Sequence, residues 1–132
     1  MKPPLDRETW ENELATYWFD QGILFSLSKN PKRTVENLAA NSSLVKQITG
    51  NKKVPLLIYL SDSPIPDKDA RSLSKELLPQ NYTAMAMVAK PGLAKLIMNV
   101  LFSFSRPPIP MKSFSNDLEA KEWLRQFLII GS

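Results

Sequence analysis

The chain contains no cysteine and no histidine among its 132 residues. The first absence excludes a disulfide framework, a thiolate metal site and a cysteine nucleophile. The second removes the commonest general base, the commonest metal ligand and the usual triad member, leaving carboxylates, Lys and Tyr for proton transfer. Glycine is scarce too: Gly22, Gly50, Gly92 and Gly131 all stand where turns or helix ends are expected. None is left for a phosphate-cradling loop of the Walker or dinucleotide type. No segment approaches the roughly 20 apolar residues that span a bilayer, and Lys2 is not followed by the apolar core of a signal peptide. A cytoplasmic location without a transmembrane segment is the expectation. Basic run and interleaved aromatics are missing as well, since the formal charge of +4 is scattered and its densest groups are only Lys32-Arg33 and Lys52-Lys53. No nucleic-acid partner is expected on that footprint.

What is present reads as one ordinary α/β domain. The length suits a single core, with an N-terminal arm over 1–12 and the domain over 13–132. The stretch that organises it is Val54-Pro55-Leu56-Leu57-Ile58-Tyr59-Leu60, a continuous apolar run that predicts a strand buried on both faces. Before it, strand formers over 13–19, a turn at Asp20-Gln21-Gly22 and the segment 23–28 predict a β-hairpin. Thr34 is placed to cap a helix whose apolar stripe is Val35, Leu38, Ala39, Leu44, Val45 and Ile48, with Gly50 at its C-terminal end.

After the central strand a helix is expected from about residue 67 to 78, ended by Pro79. Tyr82-Thr83-Ala84-Met85-Ala86-Met87-Val88 predicts a second interior strand, whose alanines allow a helix or a subunit to approach closely. A helix over 93–104 is apolar in nearly every direction. The stiff connector Arg106-Pro107-Pro108-Ile109-Pro110 leads to a short edge strand at 111–114. Asn116-Asp117-Leu118-Glu119 then opens a last helix that presents Leu118, Trp123, Leu124, Phe127 and Leu128. The order is β-β-α-β-α-β-α-β-α, with a mixed, mostly parallel sheet.

This order, the Lys52-Lys53-Val54-Pro55-Leu56-Leu57-Ile58 entry to the third strand, the Pro-containing connector and the ending Ser115-Asn116-Asp117-Leu118-Glu119-Ala120-Lys121-Glu122-Trp123-Leu124 resemble the STAS or SpoIIAA-like small domains of bacteria. The resemblance implies helices mainly on one face of the sheet and a partner-switching role. In such domains a serine or threonine at the start of the helix after the third strand is phosphorylated, in an Asp-Ser-Ser/Thr-Gly type of loop. Ser61-Asp62-Ser63 occupies that place here, but Pro64 and Ile65 stand where the glycine belongs. Other branches of the superfamily resemble CRAL-TRIO lipid-binding domains.

Two groups of residues are candidates for function. The loop Ser61, Asp62, Ser63 is the phosphorylation or partner site, or else a set of loop and cap hydrogen bonds. Met98, Leu101 and Phe102 on the apolar helix are core, a self-association interface or the lining of an apolar pocket. Asp62, Asp67 and Asp69 beside a helix start read as caps and dipole partners, so no metal, cofactor or catalytic residue is assigned. The expectation is a non-enzymatic regulatory or protein-interaction module, self-associating as a homodimer and acting on a protein partner. The alternative is a small apolar-ligand or lipid binder that uses the helix over 93–104.

Overall fold

The computed structural model describes residues 2–29, 31–60, 66–102 and 107–128, with backbone only at 94, 97, 98 and 100–102. Its strands are β1 (Trp10–Glu11), β2 (Ala15–Asp20), β3 (Ile23–Ser28), β4 (Val54–Tyr59), β5 (Tyr82–Val88) and β6 (Met111–Phe114). Its helices are α1 (Val35–Thr49), α2 (Lys68–Asn81), α3 (Pro91–Phe102) and α4 (Asp117–Arg125). The six strands form one sheet in sequence order, antiparallel from β1 to β3 and parallel from β3 to β6. This is a mixed α/β architecture in which helical crossovers link the parallel strands.

The hairpin expected at the start is built on a two-residue loop, with Gln21 at φ 53° and Gly22 at φ 83°. Positive φ at both loop positions matches the right-handed twist of the flanking strands. A Cβ at position 22 would meet only the tip of Leu128, at 3.0 Å, so the cost of a side chain there lies in the backbone. Gly22→Ala is expected to lower stability by ~1–2 kcal/mol, read as an earlier urea midpoint. An unchanged midpoint would show that the loop adopts another turn.

The arm is tied to the body of the domain. Glu11 and Trp10 pair with Thr16 and Tyr17, the Trp10 ring meets Phe19 edge-on at 6.3 Å, and Arg7 donates to the Phe19 carbonyl at 3.1 Å. A two-residue strand therefore covers the outer edge of β2, which shortens the unpaired edge the sheet presents.

Side chains alternate across the pleat, and two cores result. On one face Tyr17, Leu24, Leu56, Met85 and Met87 meet Leu38 and Val45 of α1 and Ala70 of α2. On the other, Trp18, Phe25, Leu57, Ala84 and Ala86 meet Ala120 and Leu124 of α4. The small residues of β5 thus receive α4. Between Val54 and Pro55 the register shifts: Val54 opposes Tyr82 and Pro55 opposes Ala84. The extra residue, Thr83, breaks the alternation and leaves Tyr82 in the same core as Met85 and Met87.

Several local expectations need correction. Pro79 does not end α2, which continues to Asn81; the proline gives up its own N–H and crowds the carbonyl four residues back, but the chain after it stays helical and Tyr82 N–H still reaches the Leu78 carbonyl. Val35 is 41% exposed and Ala39 is exposed, so the buried stripe of α1 is Asn37, Leu38, Ser42 and Val45. Leu118 is 74% exposed, because in the first turn of α4 the inward direction belongs to Ala120. The caps follow expectation: Thr34 accepts from Asn37 N–H at 3.2 Å and Asn116 from Glu119 N–H at 3.0 Å, and Gly50 closes α1 at φ 66°. Among the described residues no helix is long and apolar enough to cross a membrane.

Candidate ligand-binding site

The face of the sheet under α1 and α2 is not completely filled. A cavity of about 170 Å³ lies there, bounded by strands β2 to β6 and by α1, α2 and α3. Leu14, Leu38, Leu56, Leu77, Met85 and Met87 supply much of its apolar wall, and Leu93 and Leu96 bring α3 to it. It is partly open to solvent. An engineered apolar cavity of roughly 150 Å³ takes up benzene, so the space is of ligand size.

Polar groups are few and connected. The Tyr17 hydroxyl donates to Asn41 Oδ1 at 2.7 Å, and Asn12 Nδ2 donates to the same oxygen at 2.8 Å. Ser26 and Tyr82 stand close enough to Tyr17 to act on its hydroxyl. Burial raises both phenols above their ordinary value, Tyr82 further than Tyr17. Both therefore remain neutral hydroxyls across the physiological range. On the helical side, Asn81 Nδ2 donates to Ser42 Oγ at 3.0 Å. Asn81 Oδ1 is buried with no hydrogen-bond partner among the described residues. Arg33, half-buried, lines the same cavity and donates from Nη2 to Ser28 Oγ at 3.3 Å.

Ser61, Asp62 and Ser63 lie outside the described residues. Leu60 and Pro66, which flank that segment in the sequence, both line the cavity. Met98, Leu101 and Phe102 belong to α3, and their side chains lie outside those described. Asp67 is the N-cap of α2, its Oδ1 accepting from Ala70 N–H at 2.8 Å, and Asp69 stands exposed in the first turn. Among the described residues no three acidic side chains gather as a metal site would require.

The residues that give the cavity its chemistry, Tyr17, Arg33, Asn41, Ser42, Asn81 and Tyr82, are absent from the sequence-derived candidates. One signal for them was present. The stripe of α1 passes from Leu38 to Val45 through Asn41 and Ser42, and two polar residues at inward-facing positions mark a place where a helix faces something other than core. Tyr82 gives no such sign, because its position depends on the bulge.

Sheet, helices and cavity together define a small mixed α/β domain with a partly enclosed apolar chamber and a polar network in its wall. The chain belongs to a family described as a domain of unknown function, DUF7793, whose model matches residues 17–128. Neither the curated proteins nor the solved structures include a match to this chain.

Proposed function

We propose that this protein is a non-enzymatic binding protein whose cavity receives a small, largely apolar ligand. The observation that carries the reading is the chamber itself: about 170 Å³ between the sheet and α1, α2 and α3, walled largely by apolar side chains, where natural cores rarely leave a void of that size. The hollow on the opposite face, beside Trp18, Phe25 and Tyr59, is instead lined by charged side chains such as Arg7, Asp20, Asp117 and Lys121. Leu93 and Leu96 of α3 at its wall support the use of the apolar helix as part of the lining. Among the described residues the titratable side chains that line it are Tyr17, Tyr82 and Arg33, each held in one protonation state at neutral pH. That set offers no proton-transfer pair and favours binding over catalysis. We further read the sheet as SpoIIAA-like, a reading supported by the hairpin that leads into parallel strands. A regulatory role through Ser61, Asp62 and Ser63, or self-association through Met98, Leu101 and Phe102, draws on side chains outside those described.

The test is methyl NMR during titration with 1-octanol. Methyl signals of Leu56, Met85 and Met87 are expected to shift, while those of Leu57 and Leu124 on the other face of the sheet stay in place. Leu56 and Leu57 are chain neighbours on opposite faces, so the pair separates cavity binding from general denaturation. Shifts on both faces, or on neither, would overturn the reading.

A further inference from the structure

We propose that the ligand is a medium-chain carboxylic acid, bound as its anion with the carboxylate on the Arg33 guanidinium and the tail among Leu38, Leu56, Met85 and Met87. The proposal rests on the apolar-ligand reading and adds the chemistry of the head group. Arg33 lines the cavity and immediately precedes Thr34, the N-cap of α1. That is the positive end of a helix dipole, the end at which a cation is disfavoured. Among the described residues the ion pairs are made by Arg7, Lys29 and Arg125, and no carboxylate lies within ion-pair distance of Arg33. Its one side-chain partner there, Ser28 Oγ, is neutral.

Burial lowers the Arg33 pKa, the effect on a cation of losing water. A guanidinium does not escape that cost by losing its proton. Relief comes from an anion delivered by something else, and the planar fork of N–H donors fits a carboxylate through two parallel hydrogen bonds.

The second unsatisfied group sets the orientation. Asn81 is 4% exposed, and its Oδ1, which has no hydrogen-bond partner among the described residues, is an acceptor, which takes a water or a hydroxyl and repels a carboxylate. The anionic head therefore belongs to Arg33. Size narrows the tail: beside a benzene-sized cavity of roughly 150 Å³, about 170 Å³ accommodates about six to eight carbons and excludes a two-chain membrane lipid.

Isothermal titration calorimetry of the full chain with octanoate, 1-octanol and octylamine tests the assignment, repeated with Arg33→Gln after its folding is checked by circular dichroism. Octanoate is expected to bind about tenfold or more tighter than octanol, as a hydrogen-bonded charge pair gives, and octylamine weakest of the three. Arg33→Gln is expected to bring octanoate down to the affinity of octanol. Octanol equal to octanoate, or a variant with unchanged octanoate affinity, overturns the anion assignment and leaves the apolar-ligand reading standing. Failure of all three probes overturns both. Should Arg33→Gln not fold, the ranking of head groups on the wild-type protein decides alone. Co-sedimentation with phosphatidylglycerol vesicles is expected to be absent; vesicle binding without octanoate binding would assign Arg33 to a membrane surface and overturn the proposal.

Discussion

Leu57→Ala is expected to lower the free energy of unfolding by about 2–5 kcal/mol, the largest loss for any single truncation considered. Leu57 is fully buried at the middle of β4, which is flanked on both sides by parallel strands. Its side chain enters the core with Trp18, Phe25, Ala84, Ala86, Ala120 and Leu124. The walls of that site are backbone of the central strands and a helix anchored by caps at both ends, so they collapse little into the space left behind. The cost is therefore the lost transfer free energy plus a cavity that stays open. Against a total of roughly 5–15 kcal/mol for a domain, such a loss moves the urea midpoint far down. Because Leu57 faces away from the chamber, octanoate affinity measured below the new midpoint should be unchanged. A loss under about 1 kcal/mol would mean that Leu57 does not occupy a filled core.

The second large effect comes from enlarging rather than truncating. Ala86→Leu is expected to destabilise the protein by about 1–3 kcal/mol or more. Ala86 and Ala120 are both fully buried and share one core, so α4 approaches the sheet with only methyl groups between the two backbones. A leucine at position 86 needs room that only an outward movement of α4 provides. That movement also strains the contact of Tyr59, whose hydroxyl donates to Asp117 at 2.8 Å at the start of α4. Hydrogen exchange should therefore show α4 amides losing protection before those of α1 and α2. Uniform loss of protection across the domain, or no loss of stability at all, would contradict the close approach.

Much of the fold can be read from the chain itself because its signals are local. The hairpin turn at Gln21-Gly22, the caps at Thr34, Gly50 and Asn116, and the apolar run from Val54 each act within a few residues of themselves. The alternation of alanine with methionine in β5 announces a close approach, and α4 is the element that fills it. Where reading by local rules fails, the reason is again specific. Pro79 is expected to stop α2, but a proline forfeits only the hydrogen bond of its own N–H to the residue four back, and the amides that follow it still find carbonyls, as Tyr82 N–H does at Leu78.

The site lay further out of reach. Tyr17, Arg33, Asn41, Asn81 and Tyr82 come from a strand, a loop, two helices and a second strand, and no spacing along the chain relates them. Each alone has an ordinary explanation as a turn, a cap or a core residue. They share a cavity because the sheet order brings β2, β4 and β5 under α1 and α2, and because the bulge at Thr83 turns Tyr82 toward that face.

The sequence by itself determined the element types, most of their boundaries, and the absence of thiol and imidazole chemistry, because propensity, periodicity and composition are properties of neighbours and counts. Only the tertiary structure decided where the apolar surfaces of the helices fail to close on the sheet, and that an arginine with no acidic partner among the described residues stands beside that gap. Packing volume and charge compensation are sums over residues far apart in the chain, and they exist only once the chain has folded.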